Sequence, residues 1–288
     1  VSFSTILILL IAAVFHSTWN TIVKKSEDKQ VFNWMALATF SVIFFIPFCF
    51  IYKSVSLHAW ILMILSGSCE ACYFFLLASA YKYGDLSLVY PLSRGLSPVI
   101  VAIIATIFLG EVITFKGTMG IISIVIGIYI IHIRNFSLKG FLEPFSYLKE
   151  PASKFAILTA ITTGLYSNID KAALTYVDNT MLLYVKFFTA SLLLLPFMLT
   201  RKREAIKTEW RLNKFKAGIV AVLLSSAYFL VLIAMSQSQV SYTSAVREVS
   251  IVFGSIIGTV YLKEKFAEKK ILGTLFIFIG ILLIAISK

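Results

Sequence analysis

The sequence predicts an all-α integral membrane protein with ten transmembrane helices in two inverted five-helix repeats. Three observations lead there. The 288-residue chain is 59% hydrophobic and only 14% charged, against about 25% charged in a soluble domain. Its apolar residues gather into ten runs near the roughly 20 residues that span a bilayer, at 3–23, 32–51, 58–80, 87–109, 117–133, 155–175, 180–199, 217–236, 241–262 and 271–287. Two of those runs hold an arginine at the same register, because a shift of 153 positions lays Arg94 on Arg247 and Glu111 on Glu264. Arginine within hydrocarbon costs roughly 2.5 kcal/mol or more, so it faces a protein interior or a water-filled cavity. A costly residue repeated at one register in two halves marks an internal repeat built around a polar site.

The remaining segments follow the same pairing. The first is too long for the apolar region of a signal peptide and lacks a small-residue cleavage site, so it is expected to stay as a helix. It matches the sixth, with Trp19 on Tyr166 and Lys24 on Lys171. The second and seventh each carry a late proline, Pro47 and Pro196. The third and eighth match through CYFFLLASA and AYFLVLIAM, with Tyr73 on Tyr228. The fourth and ninth hold the arginines. The fifth and tenth share GIISIVIGIYII and GTLFIFIGILLI, with Gly120 on Gly273 and Gly127 on Gly280. The repeats divide as 1–140 and 141–288. Each has an odd number of spans, so the second enters the membrane from the opposite surface. Arg94 lies about seven residues, roughly 10 Å, into its segment, and Arg247 lies at similar depth from the other side. The two are expected to flank the midplane.

The net charge of +12 sits at segment ends, where it sets topology, and is not a nucleic-acid footprint. Loops after odd-numbered segments hold most of it, which puts them in the cytoplasm and both termini outside. Arg201 to Lys216 reads as a solvated cytoplasmic loop touching anionic headgroups. Cys49, Cys69 and Cys72 all lie in apolar runs, and the Cys69/Cys72 pair reads as packing rather than as metal or redox ligands. No cofactor or metal is expected. There is no H-E-x-x-H, no G-x-S-x-G and no P-loop, which argues against a membrane-embedded enzyme and against direct ATP drive.

GDLSLVYPLSRG ahead of FLGE, and SAVREVSIVFGSIIG ahead of YLKE, resemble the EamA branch of the drug/metabolite transporter superfamily. The five-plus-five pattern extends the resemblance over essentially the whole chain, and HSTWNTIVKK is similar to one subgroup. The resemblance implies a helix bundle around a central cavity that transports small metabolites such as amino acids, with coupling to protons or exchange in some members. A plasma-membrane location (the inner membrane of a bacterial cell) and a monomeric or homodimeric state go with it.

Candidate residues lie on polar faces of these segments. Tyr90, Arg94 and Ser97 share one face of the fourth. Pro91 and Pro98 remove backbone donors there and are expected to loosen the helix. Thr243, Arg247, Ser250 and Gly254 form the matching face of the ninth, which has no proline. Each arginine either fixes a carboxylate or phosphate through its planar fork or forms a structural pair, such as Arg94 with Glu70. The prolines favour Arg94 as the stronger substrate contact, with Arg247 as its gating or structural counterpart. Glu248, next to Arg247, should point about 100° away on a regular helix. Glu70 shares a face with Ser66 and Tyr73 and is either a proton-coupling carboxylate or an ionised partner of Arg94 or Lys171. His16, Trp19 and Asn20 share a face of the first segment. Trp19 with Tyr166 either cradles part of a substrate or packs. Tyr73 with Tyr228 is a matched pair, and Asp170 shares a face with Tyr166 or snorkels to the interface. Lys186 and Tyr184 stand under the same two readings. The glycines of the fifth and tenth segments suit close packing, within the chain or between subunits. The leading function is a secondary transporter for a small polar metabolite, most readily an amino acid or related zwitterion or anion. A flippase for a lipid-linked headgroup is the alternative.

Overall fold

The computed structural model describes residues 1–84, 89, 91–133, 137, 142, 148–261 and 268–287. Among these the chain is helical, with no strand. The first half holds α1 (Phe3–Lys24), α2 (Lys29–Ile43), α3 (Phe45–Ile51), α4 (Leu57–Tyr83), a π turn (Pro91–Gly95), α5 (Leu96–Phe108) and α6 (Phe115–His132). The second holds α7 (Pro151–Ala173), α8 (Asn179–Arg201), α9 (Arg203–Gln237), α10 (Val240–Arg247), α11 (Ser250–Tyr261) and α12 (Glu268–Ala285). Side-chain oxygens start several of them by accepting orphan backbone N–H groups. Ser2 accepts from Thr5, Asp28 from Gln30 and Val31, Ser56 from Ala59, Thr114 from Gly117, and Asp178 from Met181.

Helices α1, α4, α8 and α9 are long and apolar enough to cross a membrane, and α2 with α3 forms a fifth such unit bent by 49°. The bend sits where Pro47, having no N–H, crowds the carbonyl four residues back at Ile43. Pro196 leaves α8 unbroken. The remaining expected spans are shorter or more polar: α5, α6 and α12 are short apolar helices, and α7 carries Lys154, Asp170 and Lys171. The expected loop from Arg201 to Lys216 is corrected, since α9 starts at Arg203 and runs 35 residues without interruption. Its opening stretch, REAIKTEWRLNKFK, has no Gly or Pro and is built from good helix formers. That stretch is also held in place. The Asp28 backbone N–H donates to Glu209 Oε1 at 2.6 Å, Lys202 Nζ lies 2.6 Å from Asp28 Oδ2, and Asn213 donates to Glu209 Oε2 at 2.7 Å.

Exchanging the two halves maps the helix contacts onto themselves. α4 packs on α7 as α1 packs on α9; α5 lies on α7 as α11 lies on α1; α8 meets α4 as α2 meets α9. α2 with α8 and α6 with α12 are self-related pairs, and α6 with α12 is the most extensive helix contact in the bundle. A Cβ on Gly127 would meet the Gly273 carbonyl oxygen at 2.5 Å, and one on Gly120 would meet that of Gly280 at 2.8 Å. The contacts are reciprocal, since a Cβ on Gly273 or Gly280 would strike the Gly127 or Gly120 carbonyl at 2.6 Å. Gly120 pairs with the counterpart of Gly127, and Gly127 with the counterpart of Gly120. These two equivalent helices therefore run antiparallel about a pseudo-two-fold axis. Bare backbones touch there, as small-residue interfaces in membrane bundles allow. The glycines serve packing between the repeats of one chain.

Gly127→Ala should force these backbones apart and lower stability by about 1–3 kcal/mol, read as thermal unfolding in detergent. Gly218→Ala, where an added Cβ meets nothing within 4 Å, should leave the melting point unchanged or slightly raised, by no more than about 1 kcal/mol.

Candidate functional site

Both arginines lie at interruptions of their helices. Pro98 cannot donate to the carbonyl of Arg94 and its ring crowds that group, and the chain responds with the π turn Pro91–Gly95. Such single π turns concentrate at functional sites. In the second half the chain breaks without any proline. α10 ends at Arg247, and Glu248 and Val249 form a tight turn before α11. There the N–H groups of Glu248, Val249, Ile251 and Val252 donate three residues back, at 2.9–3.1 Å. The β-branched run Val246, Val249, Ile251 and Val252 has weak helix preference. The expected contrast between a loosened fourth segment and a regular ninth one is therefore corrected. α10 is in turn held by the other repeat: Glu111 accepts from the N–H of Val240 at 2.6 Å, the N–H of Ser241 at 3.2 Å and the Ser241 hydroxyl at 2.6 Å. Its counterpart, Glu264, lies outside the described residues.

The breaks bring the arginines to one cavity of about 60 Å³, with room for roughly four or five water-sized groups. Arg94, Arg247, His16, Trp19, Glu70, Tyr73, Tyr166 and Tyr228 all line it. Arg94 Nη2 donates to the Tyr73 hydroxyl at 3.3 Å and lies 3.4 Å from His16 Nε2. Its Nη1 is 3.6 Å from Glu248 Oε1, and Arg247 Nε is 3.8 Å from the same oxygen. One carboxylate thus stands between two guanidiniums, and both arginines line the one cavity. Among the described residues, neither oxygen of Glu248 has a hydrogen-bond donor, and Arg247 Nε and Nη2 have no acceptor. Arg94 is tethered to Tyr73, and the buried donors without an acceptor among the described residues belong to Arg247. The Trp19 indole N–H is likewise buried without an acceptor, and His16 meets the Trp19 ring edge-on at 4.9 Å.

A second charge cluster adjoins the cavity. Lys186 of α8 is fully buried. Its ammonium donates to Asp170 Oδ2 at 2.7 Å and to the Tyr228 hydroxyl at 2.6 Å, and lies 3.1 Å from Glu70 Oε2. The Glu70 contact is an ion pair without hydrogen-bond geometry, which leaves that oxygen unsatisfied. Asp170 also accepts from the Ser66 and Tyr228 hydroxyls. The ammonium stands 4.0 Å from the Tyr166 ring centre and 4.1 Å from that of Tyr228, a cation–π sandwich. Gly67 makes this possible, because a Cβ there would strike the Lys186 carbonyl at 2.7 Å. The expected partners of Glu70 are thereby corrected. Arg94 turns instead to Tyr73, His16 and Glu248, and Lys171 donates to the Met235 and Ser238 carbonyls at 2.6 and 2.9 Å, closing the end of α9.

Two expected site residues among the described ones, Asn20 and Asp170, do not line the cavity. Asn20 is exposed and returns its amide to the His16 carbonyl at 2.9 Å. Asp170 is buried behind the cavity wall as the Lys186 partner, so it does not snorkel. Tyr90 lies outside the described residues. Cys72 is exposed and Cys69 partly so, which places the pair on the outside of α4. In the sequence Glu248 does not stand out, because a regular helix turns it away from Arg247, and Lys186 reads equally as an interfacial lysine. The signal for Lys186 was its isolation, as the one charged residue in the apolar run 180–199.

Comparison with known proteins agrees with this architecture. One solved crystal structure superposes with a TM-score of 0.77 over 98% of this chain and 96% of that one at 15% identity, a likeness of fold. Among curated proteins none matches the chain. Residues 3–133 and 151–286 each match the EamA-like transporter family, and the chain, a multi-pass membrane protein of two such repeats, belongs to that family.

Proposed function

We propose that this protein is a secondary active transporter that moves a small polar metabolite bearing a carboxylate, an amino acid or related zwitterion or anion, across a bacterial inner membrane by alternating access. The observation that carries the reading is the convergence of Arg94 and Arg247, one from each repeat, on a single cavity where Arg247 keeps buried donors without acceptors among the described residues. A planar guanidinium fork matches a carboxylate. An unsatisfied buried donor is costly until something fills it. The neighbouring cluster supports the other pole of a zwitterion. Asp170 and Glu70 outnumber Lys186 by one charge, Glu70 lines the cavity, and tyrosine faces beside it suit an ammonium group. Inverted repeats in ten spans, divided as 1–140 and 141–288, would let the halves exchange conformations and open the site to either surface. Glu70 is our choice for a proton-coupling group, and export or exchange for the direction.

Purified protein in liposomes should show counterflow with one or more members of a panel of amino acids and small carboxylates. Arg94→Ala and Arg247→Ala should each cut that flux on the order of tenfold or more. If both retain full flux, the site is wrongly assigned; lipid scrambling with no solute flux would favour the lipid-headgroup flippase instead.

Lys186→Met leaves two buried carboxylates facing each other and should cost about 3–5 kcal/mol, measured as loss of thermal stability. Adding Asp170→Asn to it should recover a measurable part of that loss. A Lys186→Met protein as stable as the parent would show that the cluster carries no fixed charge.

A further inference from the structure

Among the described residues, the buried side-chain nitrogens without an acceptor are Nε and Nη2 of Arg247 and Nε1 of Trp19. Both residues line the same cavity. Elsewhere such donors are satisfied: Trp34 donates to the Ser191 carbonyl at 3.1 Å, and Asn168 to the Val101 and Gly164 carbonyls at 3.2 and 2.8 Å. An orphaned buried donor is rare in a native fold and costs free energy until an acceptor reaches it. Trp19 is 7% exposed, so bulk solvent does not answer its N–H. His16 does not answer it either. That ring packs against the indole with centres 4.9 Å apart and planes at 75°, and its Nε2 lies 3.4 Å from Arg94 Nη2. The histidine fixes the indole beside the cavity and leaves the N–H without a partner.

An indole N–H is a donor and never an acceptor, so its complement is an oxygen. A cavity of about 60 Å³ has room for roughly four or five water-sized groups. A carboxylate gripped by Arg247 fills much of that space and comes close to the remaining walls. We infer that Trp19 is a second contact for this carboxylate, donating its indole N–H to one of the oxygens that Arg247 holds. Arg247 supplies the charge. Trp19 supplies direction, because a neutral N–H rewards only an oxygen that lies close to its axis. The contact uses the edge of the indole, not the face that a stacking role requires. It also joins α1 of the first repeat to α10 of the second through the cargo. The inference rests on the proposed carboxylate site and adds to it a donor that orients the cargo.

The test is a formate titration of the full-length protein in detergent, followed through the isotope-labelled indole N–H resonances of its four tryptophans. The Trp19 resonance, assigned by its loss in Trp19→Phe, should move downfield and saturate as formate binds. That of Trp34, already bonded to the Ser191 carbonyl, should stay in place and serves as the internal control. Trp19→Phe should weaken formate binding by roughly tenfold or more. Benzothienylalanine in place of Trp19, which keeps the bicyclic shape and puts sulfur where the N–H was, should lose as much affinity while the melting point stays at the parental value. A Trp19 that only packs would keep parental formate affinity in that second variant. Such a result, or a Trp19 resonance that does not move at saturating formate, overturns the inference. If the unaltered protein binds no formate, or Arg247→Ala binds it as tightly as the parent, the carboxylate site itself fails and this contact with it. That outcome is distinct from formate binding at Arg247 that leaves Trp19 unmoved.

Discussion

Buried charge in a lipid-immersed bundle must be answered by other buried charge, and that requirement organises this protein around Arg94, Glu248 and Arg247. Each guanidinium can reach the same carboxylate only because its helix is interrupted beside it, by a π turn in the first repeat and by a tight turn at Glu248–Val249 in the second. The interruptions need support of their own. Glu111 supplies it for α10 by accepting from the N–H groups at its start, so the first repeat holds the broken helix of the second. Charge placement, helix breakage and contact between repeats are one linked arrangement.

The backbone is close to two-fold symmetric while the chemistry is not. Gly120 with Gly280, and Gly127 with Gly273, set equivalent helices in direct backbone contact, and the other helix contacts exchange with the halves. The polar groups break that symmetry. Gly95 stands where the second repeat has Glu248, and the Lys186 cluster draws α7, α8 and α9 of the second repeat onto α4 of the first. The frame is symmetric, and the charges placed on it are not.

Much of this was legible in the sequence, for definite reasons. A charged residue in an apolar run is rare enough to stand out, so Arg94, Arg247 and Glu70 identified themselves, and the shift of 153 positions located the repeat partner. Helical spacing then brought His16, Trp19, Tyr73, Tyr166 and Tyr228 to the same cavity. What escaped was whatever depends on departures from regular helix or on pairing between distant elements. Glu248 faces the arginines because α10 stops one residue before it, and no proline announced that stop. Lys186 meets Asp170 and Glu70 because Gly67 lets α8 press against α4, a contact with no sequence signature of its own. Asn20 satisfied its amide on its own helix, as short polar side chains in helices often do, and so left the site. The opening stretch of α9 looked like a loop because it is polar, although its residues favour helix.

The account depends on Arg94 and Arg247 gripping one bound carboxylate together. A double-mutant cycle on formate affinity, with Arg94→Ala, Arg247→Ala and the pair combined, measures that directly. Shared grip predicts non-additive losses, with the double variant falling short of the sum of the single ones by about 1 kcal/mol or more. Losses that add to within about 0.3–0.5 kcal/mol would place the two arginines in independent sites and contradict the account.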